Sequence, residues 1–376
     1  MANVRSVTLV GHPFAPIGRG EDLRATYRAL KAAGLAPRVV DVWGGRGQRR
    51  DPALEREIAP DLTDTTGNGT EVFVINGDEI APVLTHLGAR RTAADRSIVF
   101  VAWELSIYPA EWASQLARFT DVWVHSAFVR DAVVRATNRP AQVILGATGV
   151  LIRPFVGRRH FGLPEGALVF LTAFDLRSFV ERKNPLAAVE AFARFCRSRP
   201  ALDAALIVKL SGAMDRPGPA FAFREALAQQ TLDLGLGRVI LLEGELTDSE
   251  TKNLVRCSDA FISLHRSEGF GRFLAEAMLL GKPVIATNYS GNVDFMRPEL
   301  ACLVSYALIP VQPDAYPFWE GQVWADPNIE EAAQWMHRIA DDVPWRRALG
   351  DRASRHVRRT LSHRAIGLRL ADYLAL

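Results

Sequence analysis

The chain has 376 residues, 48% of them hydrophobic and 23% charged, with a formal net charge of +3. That is a soluble globular composition, long enough for two domains rather than one and too weakly basic to argue for nucleic acid. No apolar run approaches the roughly 20 residues of a membrane span, and the run at 7–10 is too short for a signal sequence. The expected location is therefore cytoplasmic, with a peripheral contact at the inner face of the membrane left open. Cys196, Cys257 and Cys302 are isolated, without metal-ligand spacing, and fit buried thiols in a reducing compartment.

Residues 7–10 (VTLV) read as a first buried strand. A loop bearing Gly18 and Gly20 follows, then a helix over about 21–33 closed by Gly34. Strand, glycine-bearing loop and helix open a βαβ unit and so a parallel α/β sheet. Gly18-x-Gly20 is not a dinucleotide fingerprint, because no third glycine follows at the required place. The glycines either turn the chain or meet a ligand. Further strands are expected at 39–42, 72–75 and 98–101. Between them, residues 44–52 (GGRGQRRDP) read as a basic loop. Asn76 and Asp78 follow one strand and Trp103 and Glu104 the next, at carboxyl ends where open parallel sheets bind ligands. His125, after 122–124, is a weaker candidate.

From 146 to 166 glycines, prolines and basic residues lack periodicity, as in a linker between two α/β domains. A second sheet starts at 168–171 and leads into Arg177 and then Arg182-Lys183-Asn184-Pro185. Asn184 suits an N-cap and Pro185 a first helical position, with the helix running to about 197. Arg182 and Lys183 then precede a helix N-terminus, where an anion meets two cations and free N–H groups together. Arg177 is the alternative clamp arginine. An Arg-Lys pair before a helix is also ordinary surface charge. Strands at 206–210, 239–242 and 260–264 continue a doubly wound pattern.

The most informative stretch is 265–292, HRSEGFGRFLAEAMLLGKPVIATNYSGN. Glu268 is followed by Gly269-Phe270-Gly271, then by Arg272 and a helical pattern. Leu274, Ala277, Met278 and Gly281 share one face, with Glu276 expected off it. Gly281 ends the helix and 284–286 forms a short strand. The glycines let backbone N–H groups approach a ligand, and two carboxylates can each accept from vicinal hydroxyls of a polyhydroxylated molecule. A plainer alternative makes Glu268 a helix cap and Glu276 a solvated residue.

The segment SEGFGRFLAEAMLLGKPVIAT resembles the E-x7-E segment of retaining glycosyltransferases of family 4, which have the GT-B fold: two Rossmann-like, doubly wound parallel-sheet domains facing a central cleft. The likeness is strongest over 168–292. It implies an acceptor-binding domain over 1–150, a nucleotide-sugar donor domain over 151–355, and a C-terminal helix at about 355–376 packing back on the first. By the same resemblance Glu268 lies by the transferred sugar, residues 269–271 meet sugar and pyrophosphate, and Glu276 binds the ribose hydroxyls. Arg182 and Lys183 correspond to the pyrophosphate clamp, and Leu246 and Thr247 stand where the base is contacted. WELSIYPAEW and DVWVHSAF resemble the acceptor-side pattern, which puts Gly18, Gly20, Asn76, Asp78, Trp103 and Glu104 on the cleft.

The resulting expectation is transfer of a hexosyl group, with retention, from a nucleotide-diphosphate sugar such as a UDP- or GDP-sugar to a hydroxyl on a glycan or glycolipid. Polysaccharide or cell-envelope assembly is the setting the family suggests. The nucleotide sugar is a co-substrate, no other cofactor is implied, and without a D-x-D motif no obligatory metal is expected. A GT-B sugar-nucleotide epimerase and a silent nucleotide-sugar binding module are the rivals. Between Arg346 and Arg369 eight arginines face one acid on a helical pattern, either a packed last helix or a basic face for anionic lipid.

Overall fold

The computed structural model describes residues 6–43, 51–234 and 238–375. Most of the basic loop expected at 44–52, residues 44–50, lies outside them. The chain divides into two compact units, one of residues 1–149 and 358–376, the other of 150–357.

In the first unit β1 (Val7–Gly11), α1 (Gly18–Ala32), β2 (Arg38–Asp41), α2 (Pro52–Ile58), β3 (Thr70–Val74), α3 (Ile80–Leu87), β4 (Arg96–Val101), α4 (Ala110–Gln115), β5 (Asp121–Val124), α5 (Ala127–Thr137) and β6 (Gln142–Val143) follow one another. Every ladder in the sheet is parallel, in the order β2-β1-β3-β4-β5-β6. β1 and β3 are buried end to end, as in a parallel sheet covered on both faces. The strand order reverses between β1 and β3, which opens a crevice beyond their carboxyl ends.

The second unit runs through β7 (Leu168–Asp175), α6 (Val180–Lys183), α7 (Pro185–Ser198), β8 (Ala204–Ser211), α8 (Pro217–Asp233), β9 (Val239–Glu243), α9 (Asp248–Cys257), β10 (Ala260–Ser263), α10 (Arg272–Leu279), β11 (Val284–Thr287) and β12 (Cys302–Val304). A hairpin of β13 (Tyr306–Pro310) and β14 (Val323–Pro327) follows, and then α11 (Ile329–Asp341). The parallel sheet has the order β12-β11-β10-β7-β8-β9, with its reversal between β7 and β10. Phe170, Phe192 and Phe195 interlock at its core, centroids 5.5–6.2 Å apart. Residues 311–322, with Tyr316, Phe318 and Trp319, form the loop of the hairpin, whose two strands, like β12, carry no sequence pattern strong enough to announce them.

α12 (Val343–Thr360) and α13 (His363–Ala375) complete the chain. Leu349 and Val357 of α12 and Ile366 and Leu370 of α13 are buried. α13 lies against α1 so closely that a Cβ on Gly367 would stand 2.0 Å from the Ala29 carbonyl oxygen. At its end Arg96 Nη1 donates to the Tyr373 carbonyl at 2.6 Å and Gln142 Nε2 to the Tyr373 hydroxyl at 2.8 Å. The apolar side of the arginine-rich tail is thus consumed by packing, while Arg347, Arg355 and Arg359 are exposed. No helix among the described residues is long and apolar enough to cross a membrane.

The α1–α13 contact leaves no room for a side chain at Gly367. Gly367→Val is expected to destabilise by about 1–3 kcal/mol through overpacking, read as a lowered Tm, whereas Gly166→Ala, which meets open space, should leave Tm within a degree or so.

Candidate active site

The carboxyl ends of β7 and β10 flank the strand-order reversal of the second sheet, and the segments that leave them carry the charged residues. After β7 the chain bends through Phe179, at φ 62°, into the single turn of α6. Asn184 then takes a left-handed conformation, φ 49° and ψ 50°, before Pro185 opens α7. The sequence suggests Asn184 as a side-chain cap, but its amide Nδ2 donates instead to the Leu264 carbonyl at 3.0 Å. An asparagine tolerates the left-handed region better than most residues, and here it ties α6 to the end of β10.

That tie brings Arg182 and Lys183 onto Glu268. Arg182, 3% exposed, donates from Nη1 to the Ser267 carbonyl at 2.9 Å and to Glu268 Oε2 at 3.3 Å. Lys183 Nζ donates to Glu268 Oε1 in a short ion pair. Burial alone would push the Glu268 carboxyl up, but Lys183 and Arg182 hold it down to about 2. Glu268 is therefore not a simple cap of α10. Its backbone N–H donates to Ser290 Oγ at 2.8 Å, and Gly291 returns an N–H to the Glu268 carbonyl at 2.8 Å. A Cβ on Gly291 would meet the Gly269 carbonyl at 2.1 Å, so only glycine lets the two turns touch.

His265, fully buried, had no role assigned from sequence. It bridges Ser263 Oγ at 3.1 Å and Asn292 Oδ1 at 3.1 Å, while Asn292 Nδ2 donates to the Thr287 carbonyl at 3.0 Å. Burial depresses the imidazole pKa, so a neutral ring donates from Nε2 to Asn292 and fixes the 290–292 turn under Glu268. The signal available in the sequence was a histidine directly after an apolar strand, a position that alone does not separate wiring from chemistry.

Gly271, at φ 93°, starts α10 in the left-handed region. The helix ends as expected at Gly281, which donates to the Met278 carbonyl while Lys282 donates to Ala277, a Schellman arrangement with Gly281 at φ 72°. Glu276 departs from expectation. It is 7% exposed rather than off the buried face, because α10 is covered on several sides, including by Ser354 of α12, whose Oγ donates to the Leu279 carbonyl. Its Oε1 lies 4.0 Å from Lys252 Nζ on α9. Phe270 is buried against Phe295 and Arg272 is half-buried.

Other sequence candidates have different surroundings. Arg177 is gripped by Asp175, at 2.6 and 2.9 Å, and reaches Asp215 at 3.2 Å. Thr247 forms a capping box with Glu250 on α9, and Leu246 beside it is half-buried. Beside them on β8, Lys209 is buried and donates to the Leu210 and Gly244 carbonyls.

In the first unit α1 begins at Gly18 rather than near residue 21. A Cβ on Gly20 would stand 2.3 Å from the Ala15 carbonyl, while Gly18 faces open space. Trp103 is core, donating from Nε1 to the Ile107 carbonyl at 2.8 Å, and Glu104 beside it is half-buried. Asn76 donates its backbone N–H to the Glu79 carboxylate at 2.8 Å, and Asp78 is exposed. Sequence reasoning missed that Glu79 also pairs with His12, Oε1 to Nε2 at 2.6 Å, across the β1/β3 reversal. Burial opposes ionisation of Glu79, yet His12 holds its carboxyl below the ordinary range. Next to them, Arg19 pairs with Asp22 at 2.8 Å, and Asp22 lies 3.2 Å from His125 Nε2. Among the described residues no group of three or more His, Cys, Asp or Glu is placed to hold a metal.

Residues 163–312, which contain the whole Arg182–Lys183–Glu268 cluster, match the family model of glycosyl transferases group 1. Among solved structures the chain is similar to HepE of Anabaena, solved with UDP and glucose, at 15% identity and a TM-score of 0.69 over 99% of both chains. It is similar to a glycosyltransferase of Rickettsia africae at 16% identity and a TM-score of 0.68 over 98% of both chains. Sucrose-phosphate synthase of Thermosynechococcus elongatus gives 17% and 0.66, again over 98% of both. At such identities the likeness is one of fold: two Rossmann-like parallel sheets with flanking helices, the GT-B fold. No curated protein matches by sequence.

The Glu268 pair has a pH consequence. Its carboxyl titrates at about 2 in the fold against 4.5 for the free side chain, so the fold gains stability from this group above pH 4.5 and loses it as pH falls towards 2. Urea unfolding midpoints measured across that window are expected to fall less steeply for Glu268→Gln than for the natural chain. At neutral pH the same variant, which removes the carboxylate facing buried Arg182 and half-buried Lys183, is the less stable of the two.

Proposed function

We propose that the protein is a glycosyltransferase that takes a sugar from a nucleotide-diphosphate donor held by the second unit. The observation that carries this reading is the Arg182–Lys183–Glu268 cluster at the carboxyl ends of β7 and β10, inside the segment that matches group 1 glycosyltransferases. Lys183, the more exposed of the two cations at 18% against 4% for the Arg182 side chain, meets the diphosphate. Arg182 fixes the loop from within through the Ser267 carbonyl. Diphosphate oxygens compete with Glu268 for Lys183, and a carboxylate so released accepts from hydroxyls of the sugar, with the backbone of 269–271 beside it. Glu276 serves the ribose, and Leu246 and Thr247 border the base.

The cations stabilise the charge that develops on the leaving diphosphate, a term that preorganised groups supply most effectively in a buried site. A front-face route, in which the leaving phosphate accepts the acceptor proton, gives retention without a second carboxylate and without an obligatory metal. The acceptor hydroxyl, on a glycan or glycolipid, is taken by the first unit at the crevice where His12 and Glu79 meet, on the cytoplasmic side of the membrane.

Thermal shift with UDP, GDP, ADP and dTDP and their sugar conjugates tests the donor reading. At a ligand concentration a hundredfold above Kd, binding contributes about 2.7 kcal/mol, so one nucleotide family should raise Tm by several degrees. Lys183→Ala should abolish that shift and lower kcat by roughly 10²–10³-fold. Absence of any shift across the panel would remove the proposal, and conversion of the donor sugar without any acceptor would replace it with an epimerase.

A further inference from the structure

The loop between β13 and β14 carries Asp314, Tyr316, Phe318, Trp319 and Glu320, and with Phe179 these line an open cavity of about 400 Å³. The cavity adjoins the charged cluster. Phe179 immediately precedes α6, its ring meets Tyr316 edge-on at 4.8 Å, and the Arg182 guanidinium stands 5.7 Å from the centre of the Tyr316 ring. Tyr316 is buried, while Phe318 is 37% exposed.

Six non-glycine residues among those described have a clearly positive φ, and three of them line this cavity: Phe179 at 62°, Asp314 at 59° and Phe318 at 54°. For a bulky aromatic residue that conformation is an outlier, and residues held in it concentrate at ligand sites. The lining joins aromatic rings to two carboxylates. Rings pack on the apolar faces of a pyranose, and a carboxylate accepts from paired hydroxyls. The two carboxylates on the cavity wall, Asp314 and Glu320, repel a diphosphate and favour a neutral, polyhydroxylated ligand.

We propose that this cavity is a carbohydrate subsite that holds a pyranose ring against Phe318 and Trp319, with Asp314 and Glu320 receiving its hydroxyls. The inference rests on the glycosyltransferase reading for the identity of the ligand, but its test does not depend on turnover. Saturation-transfer NMR on the full chain, without nucleotide, would use the methyl glycosides of glucose, galactose, mannose, rhamnose and N-acetylglucosamine as probes. Transfer to the ring protons of at least one glycoside is expected, weakened tenfold or more in Trp319→Ala, restored in Trp319→Phe, and weakened several-fold in Glu320→Gln.

The thermal shift given by the panel nucleotide should persist in all three variants, which also shows that they are folded. No transfer from the natural chain to any probe would overturn the subsite, as would a Trp319→Ala signal equal to the natural one. Loss of the nucleotide shift in folded Trp319→Ala would overturn it too, and would mark the cavity as a base site. A saccharide signal in a chain that binds no nucleotide would uphold the subsite while removing the transferase reading.

Discussion

The second unit is organised around one costly arrangement, a buried carboxylate held between a buried guanidinium and a half-buried ammonium. Glu268 is 9% exposed and Arg182 3%, a level at which an uncompensated charge would be expelled or neutralised. The pair survives because the topology puts its halves together. The strand order reverses between β7 and β10, so segments about 85 residues apart in sequence leave adjacent strands and diverge around one crevice. Asn184 bonding to Leu264, His265 to Asn292 and Ser290 to Glu268 then lock the loops that carry the charges. A charge cluster that only balanced itself would add little stability over apolar packing. Its retention in a crevice where open α/β sheets bind ligands is what gives it chemical meaning.

The first unit repeats the device in a different currency of residues. Its reversal lies between β1 and β3, and there His12 and Glu79 form the pair. The imidazole Nε2 and the carboxylate Oε1 stand 2.6 Å apart beyond the carboxyl ends of these strands. In the proposed reaction the donor diphosphate falls to the second sheet and the acceptor hydroxyl to the first, each at its own strand-order reversal.

Much of this was legible in the sequence, and the boundary of what was legible has a physical cause. Buried parallel strands are continuous apolar runs, so β1, β3, β4 and β8 to β11 could be placed within a residue or two. Gly281 announced the end of α10 because only glycine is at ease in its left-handed cap. The family resemblance also singled out Glu268, Arg182 and Lys183 as candidates, but not that they would touch. Pairing depends on which strands become neighbours, which no local pattern encodes. The same holds for His12 with Glu79. Glu276 was misplaced because helical periodicity tells one face from another only when a single face is covered, and α10 is covered on several. Asn184 was misread because its backbone conformation, not its residue type, decides whether its side chain can reach the helix it precedes.

Backbone conformation supplies an independent line of argument about where ligand chemistry resides. Of the six non-glycine residues with positive φ among those described, Asn138 ends α5, an ordinary helix terminus. The other five, Phe179, Asn184, Ser290, Asp314 and Phe318, flank the Arg182–Lys183–Glu268 cluster or line the cavity beside it. Each such residue costs on the order of 1–3 kcal/mol, and stability alone would favour glycine at every one of them. Ser290 shows what is gained instead, since its hydroxyl receives the Glu268 N–H, and Asn184 uses its amide to hold the end of β10. Phe179 and Phe318 line the cavity itself. Their rings are what the strained backbone presents, and a ring held at that cost beside a buried charge cluster is best explained by a ligand that packs against it.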